Sequence, residues 1–276
     1  MDIHCKISAI ITDIDGTLLE PGKKVSRANI EALERYRRRG GSVFVATARP
    51  HHQVPRPEET DMDAGWLRRR GVFCSGATVI DEVTGLRQLQ TLPKSTVDEI
   101  LHITDAAGKH TQVVLKQRDG RYAFRLPIDD DIREGWGISR EESIAVGEAL
   151  VDACQRVLIF DIRSGHGAGG LPERIEAAVG GEVRMRRGAG GWVELLPAGA
   201  TKETGIKLLL TRAGIPPEQV MALGDGPEDL SMLASCGVAV AMANAPAVLK
   251  NQADHVAPPC DRDGLARIVR AIRPET

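Results

Sequence analysis

No two of the five cysteines, Cys5, Cys74, Cys154, Cys236 and Cys260, form a C-x-x-C pair, and the odd number is widely scattered. That argues against a disulfide framework and against a zinc site, and it fits a reducing compartment. An excess of one charge is also missing, since 36 basic residues against 38 acidic ones leave a net charge of −2. No global field then draws nucleic acid or an anionic membrane, so the expected partner is a small molecule. Long apolar runs are absent as well. No window approaches the roughly 20 apolar residues of a membrane span, and the amino terminus has no apolar segment with a small-residue cleavage site. The expected location is the cytoplasm. Internal repeats and long low-complexity tracts are lacking too, which leaves a chain of 276 residues with room for one large domain or two modest ones.

What is present is a recurring pattern: KISAIITD, SVFVATAR and VMALGD are short apolar runs, each ending in a residue capable of chemistry. Continuous runs rich in Val and Ile suit strands covered on both faces, and helical patterns separate them. Ser26 is placed to cap a helix that carries Ile30 and Leu33 and stops at Gly40 and Gly41. Thr201 is placed to cap another that carries Ile206, Leu209 and Leu210 and stops at Gly214. The expected class is α/β, a doubly wound parallel sheet. In such sheets ligands sit beyond the carboxyl ends of the strands, so Asp13, Asp15, Thr47 and Asp225 are expected to converge there.

The middle of the chain differs. TQVVLKQ, RYAFRLP, RVLIFDI and EVRMRRG read as short strands, and KSTVDEILHITDAAG and LPERIEAAVGG as helices. The Gly-rich turns SGHGAGG and RGAGG accompany them. A separate α+β module is expected over residues 82–194, with residues 1–81 and 195–276 forming one domain around it. Asp129, Asp130 and Asp131 within it read as a turn. The adjacent His51 and His52, near Pro50, Pro55 and Pro57, read as exposed loop, and Arg37 to Arg39 and Arg68 to Arg70 as solvated helix ends rather than a nucleic-acid patch.

The stretch ITDIDGTLLE places two aspartates one residue apart, directly before a glycine. At a strand end Asp13 and Asp15 share a side while Ile14 points away. Two neighbouring acids repel unless a cation compensates, and Mg2+ is typically held by one or two carboxylates, waters and a substrate phosphate. Asp225 offers a further oxygen. Gly16 permits a sharp turn and brings its N–H close to a bound anion. Phosphoryl transfer asks for donors around the phosphoryl oxygens. Thr47 offers a hydroxyl and Lys202 a cation, with Asp229 placed to orient Lys202.

D-I-D-G-T-L, V-A-T-A-R, the isolated Lys202 and G-D-G-P-E-D-L-S-M-L together resemble the four ordered motifs of haloacid-dehalogenase-superfamily hydrolases. The tail VAVAMANAPAVLKNQADHVAPPCDRDG is similar to the Cof-type sugar-phosphatase branch, in which an α+β cap follows a segment like VFCSGATVID. The resemblance covers nearly the whole chain. It implies a Rossmannoid core, a cap of the C2B type, Mg2+ dependence and hydrolysis of a phosphate monoester, most simply a sugar phosphate. It makes Asp13 the nucleophile that forms an aspartyl-phosphate and Asp15 the general acid and base. Asp13, Asp225 and the backbone carbonyl of Asp15 would hold the metal. Gly16, Thr47, Ala48, Lys202 and Glu228 would surround the phosphate, with Arg49 and Asp229 in support. Three positions depart from the usual pattern: Ala48 stands for Gly, Glu228 for Asn and Ser75 for Asn. A phosphomutase on the same fold, and a weakly active or non-catalytic phosphate-binding module, are the alternative readings. Receiver-type signalling modules lack both the inserted cap and this D-x-D-G-T sequence.

Overall fold

The computed structural model describes residues 6–135, 138–148, 154–161, 170–187 and 192–272. Within them the chain runs β1 (Ala9–Thr12), α1 (Arg27–Arg38), β2 (Ser42–Ala46), β3 (Arg70–Phe73), β4 (Thr78–Asp81) and β5 (Leu86–Leu89). There follow α2 (Lys94–Asp105), β6 (Thr111–Gln117), β7 (Tyr122–Phe124), α3 (Asp130–Gly135), β8 (Ser143–Ala145), β9 (Cys154–Asp161), α4 (Leu171–Val179), β10 (Val183–Arg187) and β11 (Val193–Pro197). The last segment is α5 (Lys202–Ala213), β12 (Val220–Gly224), α6 (Leu230–Ala234), β13 (Val238–Met242), α7 (Ala247–Lys250), β14 (His255–Ala257) and α8 (Gly264–Ala271). Two compact units result: Met1–Gln88 with Thr201–Thr276, and Leu89–Ala200.

The first unit is built on a sheet of order β14-β13-β12-β1-β2-β3-β4-β5. From β14 to β3 every pairing is parallel, and β4 turns back antiparallel to β3. The apolar run of β1 explains its central place. Ile10 joins a cluster with Leu33 of α1 and Leu265 of α8, while Ala9 and Ile11 join a second cluster with Ile206 and Leu209 of α5. Alternate side chains thus meet helices on opposite faces, which is why the run shows no polar alternation. Each fully buried Ile contributes about 1.5–3 kcal/mol, so turning either face to water is costly. The helix ends follow the capping residues. Ser26 accepts from the N–H of Asn29, Thr201 accepts from that of Thr204, and Gly214 closes α5 at a positive φ of 66°.

The inserted unit is α+β, with a sheet of order β10-β11-β9-β6-β7-β8. Its pairings are antiparallel except for β7 with β8. Val97 and Ile100 of α2 and Ile175 of α4 pack on Val113, Leu115, Val157 and Ile159. Asp129 to Asp131 do not form a simple turn. Asp130 opens α3, the carbonyl of Asp129 accepts from Arg133, and the Asp130 carboxylate pairs with Arg133 and Arg140. Acids in the first turn of a helix are favourable, which accounts for the difference.

Candidate active site

Parallel register brings the chemistry together. Thr12 lies beside Val45 on one side and Leu223 on the other, so Asp13, Thr47 and Asp225 all emerge at the same edge of the sheet. The N–H of Asp13 still donates to the Leu223 carbonyl at 3.0 Å, fixing the backbone where its side chain leaves the strand.

Lys202, at the first position of α5, places Nζ 2.9 Å from Asp13 Oδ1 and 2.6 Å from Asp229 Oδ1. All three side chains are buried. Asp229 Oδ2 accepts from the N–H groups of Asp225 and Gly226, each at 3.0 Å. A fully buried carboxylate with both oxygens occupied is a stable support for a buried cation. Burial pushes the Asp13 carboxyl upward, with Lys202 opposing and Asp229 reinforcing. Burial would depress Lys202, yet the charges of Asp13 and Asp229 outweigh it and hold the amine above its ordinary value.

Asp225 completes a cluster in which Asp13, Asp225 and Asp229 each bring a carboxylate oxygen within 4.8 Å of the others. Its Oδ1 accepts from the Thr17 hydroxyl at 2.8 Å. Burial pushes Asp225 up to about 6; the Thr17 hydrogen bond and Lys202 act downward, Asp229 and Glu228 upward. Because both oxygens of Asp229 are already engaged, Asp13 and Asp225 are the members with hard oxygens to offer a cation. The set could hold a metal ion through carboxylate oxygens.

A profile of haloacid dehalogenase-like hydrolases matches residues 10–269. The chain belongs to this family. Over 277 residues it is 28% identical to the chloroplastic endoribonuclease YBEY of Arabidopsis thaliana, a match that covers 95% of this chain. The chain spans only 46% of that protein's length. It is 24% identical over 267 residues to the 5-amino-6-(5-phospho-D-ribitylamino)uracil phosphatase YitU of Bacillus subtilis, covering 95% of this chain and 96% of the relative. Among solved structures, TM0651 from Thermotoga maritima superposes with a TM-score of 0.83 at 18% identity, covering 98% of each chain. That likeness establishes the fold.

The other expected positions of this hydrolase fall as follows. Asp15 does not turn its carboxylate into the acidic cluster; both its oxygens pair with Arg49, by Nε at 2.7 Å and by Nη2. Gly16 sits at φ +81°, and a Cβ there would overlap the Asp225 carboxylate. Its N–H donates to the Leu19 carbonyl at 2.7 Å, so the loop itself uses the group expected to face an anion. Thr47 is buried, and its Oγ1 accepts from the N–H of Arg49 at 3.1 Å. Ala48 is half-buried beside it. Glu228 is exposed, with its carboxylate folded back over Gly226.

Ser75 adopts φ +52° and donates its N–H to the Thr47 carbonyl at 3.0 Å, while a Cβ on Gly76 would overlap the backbone of Thr201. This loop therefore braces two motif segments at once. His51 and His52 are half-buried rather than exposed, their rings edge to face and His51 close to Phe73. Arg70 is no solvated helix end, since it bonds Asp81 at 2.7 Å and lies over Phe44.

Three residues at the site escaped the sequence reading. Thr17 braces Asp225, and the adjacency of Thr17 to Gly16 in the motif was the available signal. Asn244 donates to the Gly16 carbonyl at 2.8 Å and accepts from the N–H of Cys260 at 3.1 Å, tying the distal A-N-A-P turn to the site loop. Glu59 bonds Arg49 at 2.6 Å from a segment that carries no motif.

Proposed function

We propose that the chain is a divalent-cation-dependent phosphatase that hydrolyses a small phosphorylated metabolite, a sugar or polyol phosphate, through an aspartyl-phosphate. The observation that carries this reading is the buried Asp13 carboxylate held against Lys202 and Asp225 at a parallel-sheet edge. Membership of the hydrolase family supports it. So does the relative from Bacillus subtilis, whose name describes a phosphatase acting on a phosphorylated ribityl compound.

In this reading an oxygen of Asp13 bonds to phosphorus while the ester P–O bond breaks and its electron pair leaves with the alcohol oxygen. Asp15 gives that oxygen a proton. In the second half Asp15 takes a proton from water, whose oxygen attacks phosphorus and returns Asp13 and inorganic phosphate. Lys202 offsets the charge of the nucleophile and of the phosphoryl oxygens. Thr47 accepts from Arg49 and so keeps its hydroxyl proton to donate to phosphate. Asp13, Asp225 and the carbonyl of Asp15 would hold Mg2+, which when bound neutralises phosphoryl charge.

The test is hydrolysis by the full chain over a panel of phosphorylated sugars, polyols, nucleotides and cofactors with Mg2+, alongside Asp13→Asn. Mg2+-dependent release of phosphate by the wild type, with kcat at least about a thousandfold lower in Asp13→Asn, is expected. Near-wild-type turnover by folded Asp13→Asn removes the covalent route.

A further inference from the structure

Arg49 lies outside the acidic cluster, yet its guanidinium is fixed on three sides. Nε donates to Asp15 Oδ2 at 2.7 Å and Nη2 to Asp15 Oδ1, while Nη1 reaches Glu59 Oε2 at 2.6 Å and the Gln53 carbonyl at 3.4 Å. Glu59 is itself held. Its Oε2 accepts from the N–H of Arg56 at 3.0 Å, its own N–H donates to the Arg56 carbonyl, and its carbonyl accepts from Val25 at 2.7 Å. The Arg49 backbone is equally constrained, with its N–H on Thr47 Oγ1 and its carbonyl accepting from Cys74.

Exposure separates the partners. The Arg49 and Glu59 side chains are each 12% exposed, whereas Asp15 is 43% exposed. A short side chain that open would ordinarily sample several rotamers. Here a nearly buried fork, itself bonded to Glu59, engages both of its oxygens. Planar bidentate pairing fixes direction as well as distance, and proton transfer is sensitive to both.

We propose that Arg49, anchored by Glu59, is the positioning residue that sets the orientation of the Asp15 carboxyl for proton transfer. The inference rests on the reading of Asp15 as acid and base. A carboxylate offers about four acceptor positions; the fork occupies two and leaves two for a proton or a water. A lysine ammonium, being a point charge, cannot fix both oxygens.

The experiment compares nitrophenyl phosphate, whose leaving group needs no proton, with glycerol phosphate, whose alkoxide does. Both are hydrolysed by the full chain with Mg2+, in wild type, Asp15→Asn, Arg49→Ala, Arg49→Lys and Glu59→Gln. Asp15→Asn is expected to lose kcat on the alkyl ester by at least about tenfold more than on the aryl ester. Arg49→Ala should share that bias, Arg49→Lys and Glu59→Gln should show it more weakly, and KM should stay within about twofold throughout. Equal losses on both esters, or a raised KM with kcat intact, overturn the inference, the first indicating mere structural support and the second direct phosphate binding. If Arg49→Ala does not fold, the bias in Arg49→Lys and Glu59→Gln decides. Absence of bias in Asp15→Asn itself removes the acid–base reading and the role of Arg49 with it, whereas bias in Asp15→Asn alone removes only the latter.

Discussion

Lys202 Nζ stands 2.6 Å from Asp229 Oδ1, and the second oxygen of the same carboxylate takes the N–H groups of Asp225 and Gly226. One buried side chain therefore fixes both the cation beside Asp13 and the backbone of the residue that completes the acidic cluster. Gly224 makes room for it, since a Cβ there would run into the Asp229 side chain. The charge pair and the loop are one unit.

Asp229→Asn tests that unit. An amide must turn its NH2 either toward Lys202 or toward two backbone donors, so donor faces donor in either orientation. Unfolding in urea should reveal a loss of about 2–4 kcal/mol, the range for breaking a buried pair while leaving its partner behind. An unchanged midpoint would mean that Asp229 does not hold the network together.

Asp225 predicts how stability depends on pH. A carboxyl raised to about 6 by burial favours the fold fully below its ordinary value of 3.8, and that contribution is lost as pH rises through about 6. With a chelator present, wild type should therefore lose stability relative to Asp225→Asn between pH 5 and 7.5, by about 1 kcal/mol once its partial exposure is allowed for. Thermal unfolding of both proteins at the two pH values measures this. Added Mg2+ should reverse the order at pH 7.5, and a pH-independent difference would contradict the assignment.

Gly16→Ala should be destabilising and inactive. The backbone there is left-handed at φ +81°, and the new methyl would occupy the place of the Asp225 carboxylate. A cost of about 1–3 kcal/mol is expected from the conformation and the overlap together. Calorimetry on purified protein checks it, and retention of both Tm and Mg2+-dependent turnover would count against the close approach.

Glu228 lies exposed over Gly226 and raises Asp225 through its charge. Replacing it by Asn removes an anion from the neighbourhood of a dianionic ester. At an effective dielectric of about 20 that should lower KM for simple phosphate esters by about threefold to tenfold, with kcat within about twofold. Steady-state kinetics with two unrelated esters would measure it. No change in KM for either places Glu228 too far away to matter.

The sequence made the α/β class readable because burial on two faces leaves a visible mark: Ile10 and Ile11 serve opposite layers, so both must be apolar. Strand-end acids were readable for a related reason, since parallel register dictates where Asp13 and Asp225 emerge once β1 and β12 are neighbours. What stayed hidden was the direction of individual side chains. Asp15 follows the D-x-D pattern yet points to Arg49, because a guanidinium fixed by Glu59 competes for it. V-A-T-A-R announces Arg49, but nothing in the loop sequence around Glu59 announces the anchor that directs it. The Gly16 N–H is likewise taken up within its own loop, since an eligible carbonyl, that of Leu19, lies only three residues on.

Thr17 and Asp225 lie 208 residues apart. At about 5–20 residues per second of synthesis, the Asp13 segment waits on the order of 10–40 seconds for its opposing acid. Until then β1 has β2 on one side and an open strand edge on the other. A chain cut short in that interval has Asp13 but not Asp225, and if cut before residue 202 it lacks Lys202 too, so incomplete products lack the assembled cluster and carry an open strand edge that chaperones or proteases can meet. The site is complete only when the last of its segments has been made.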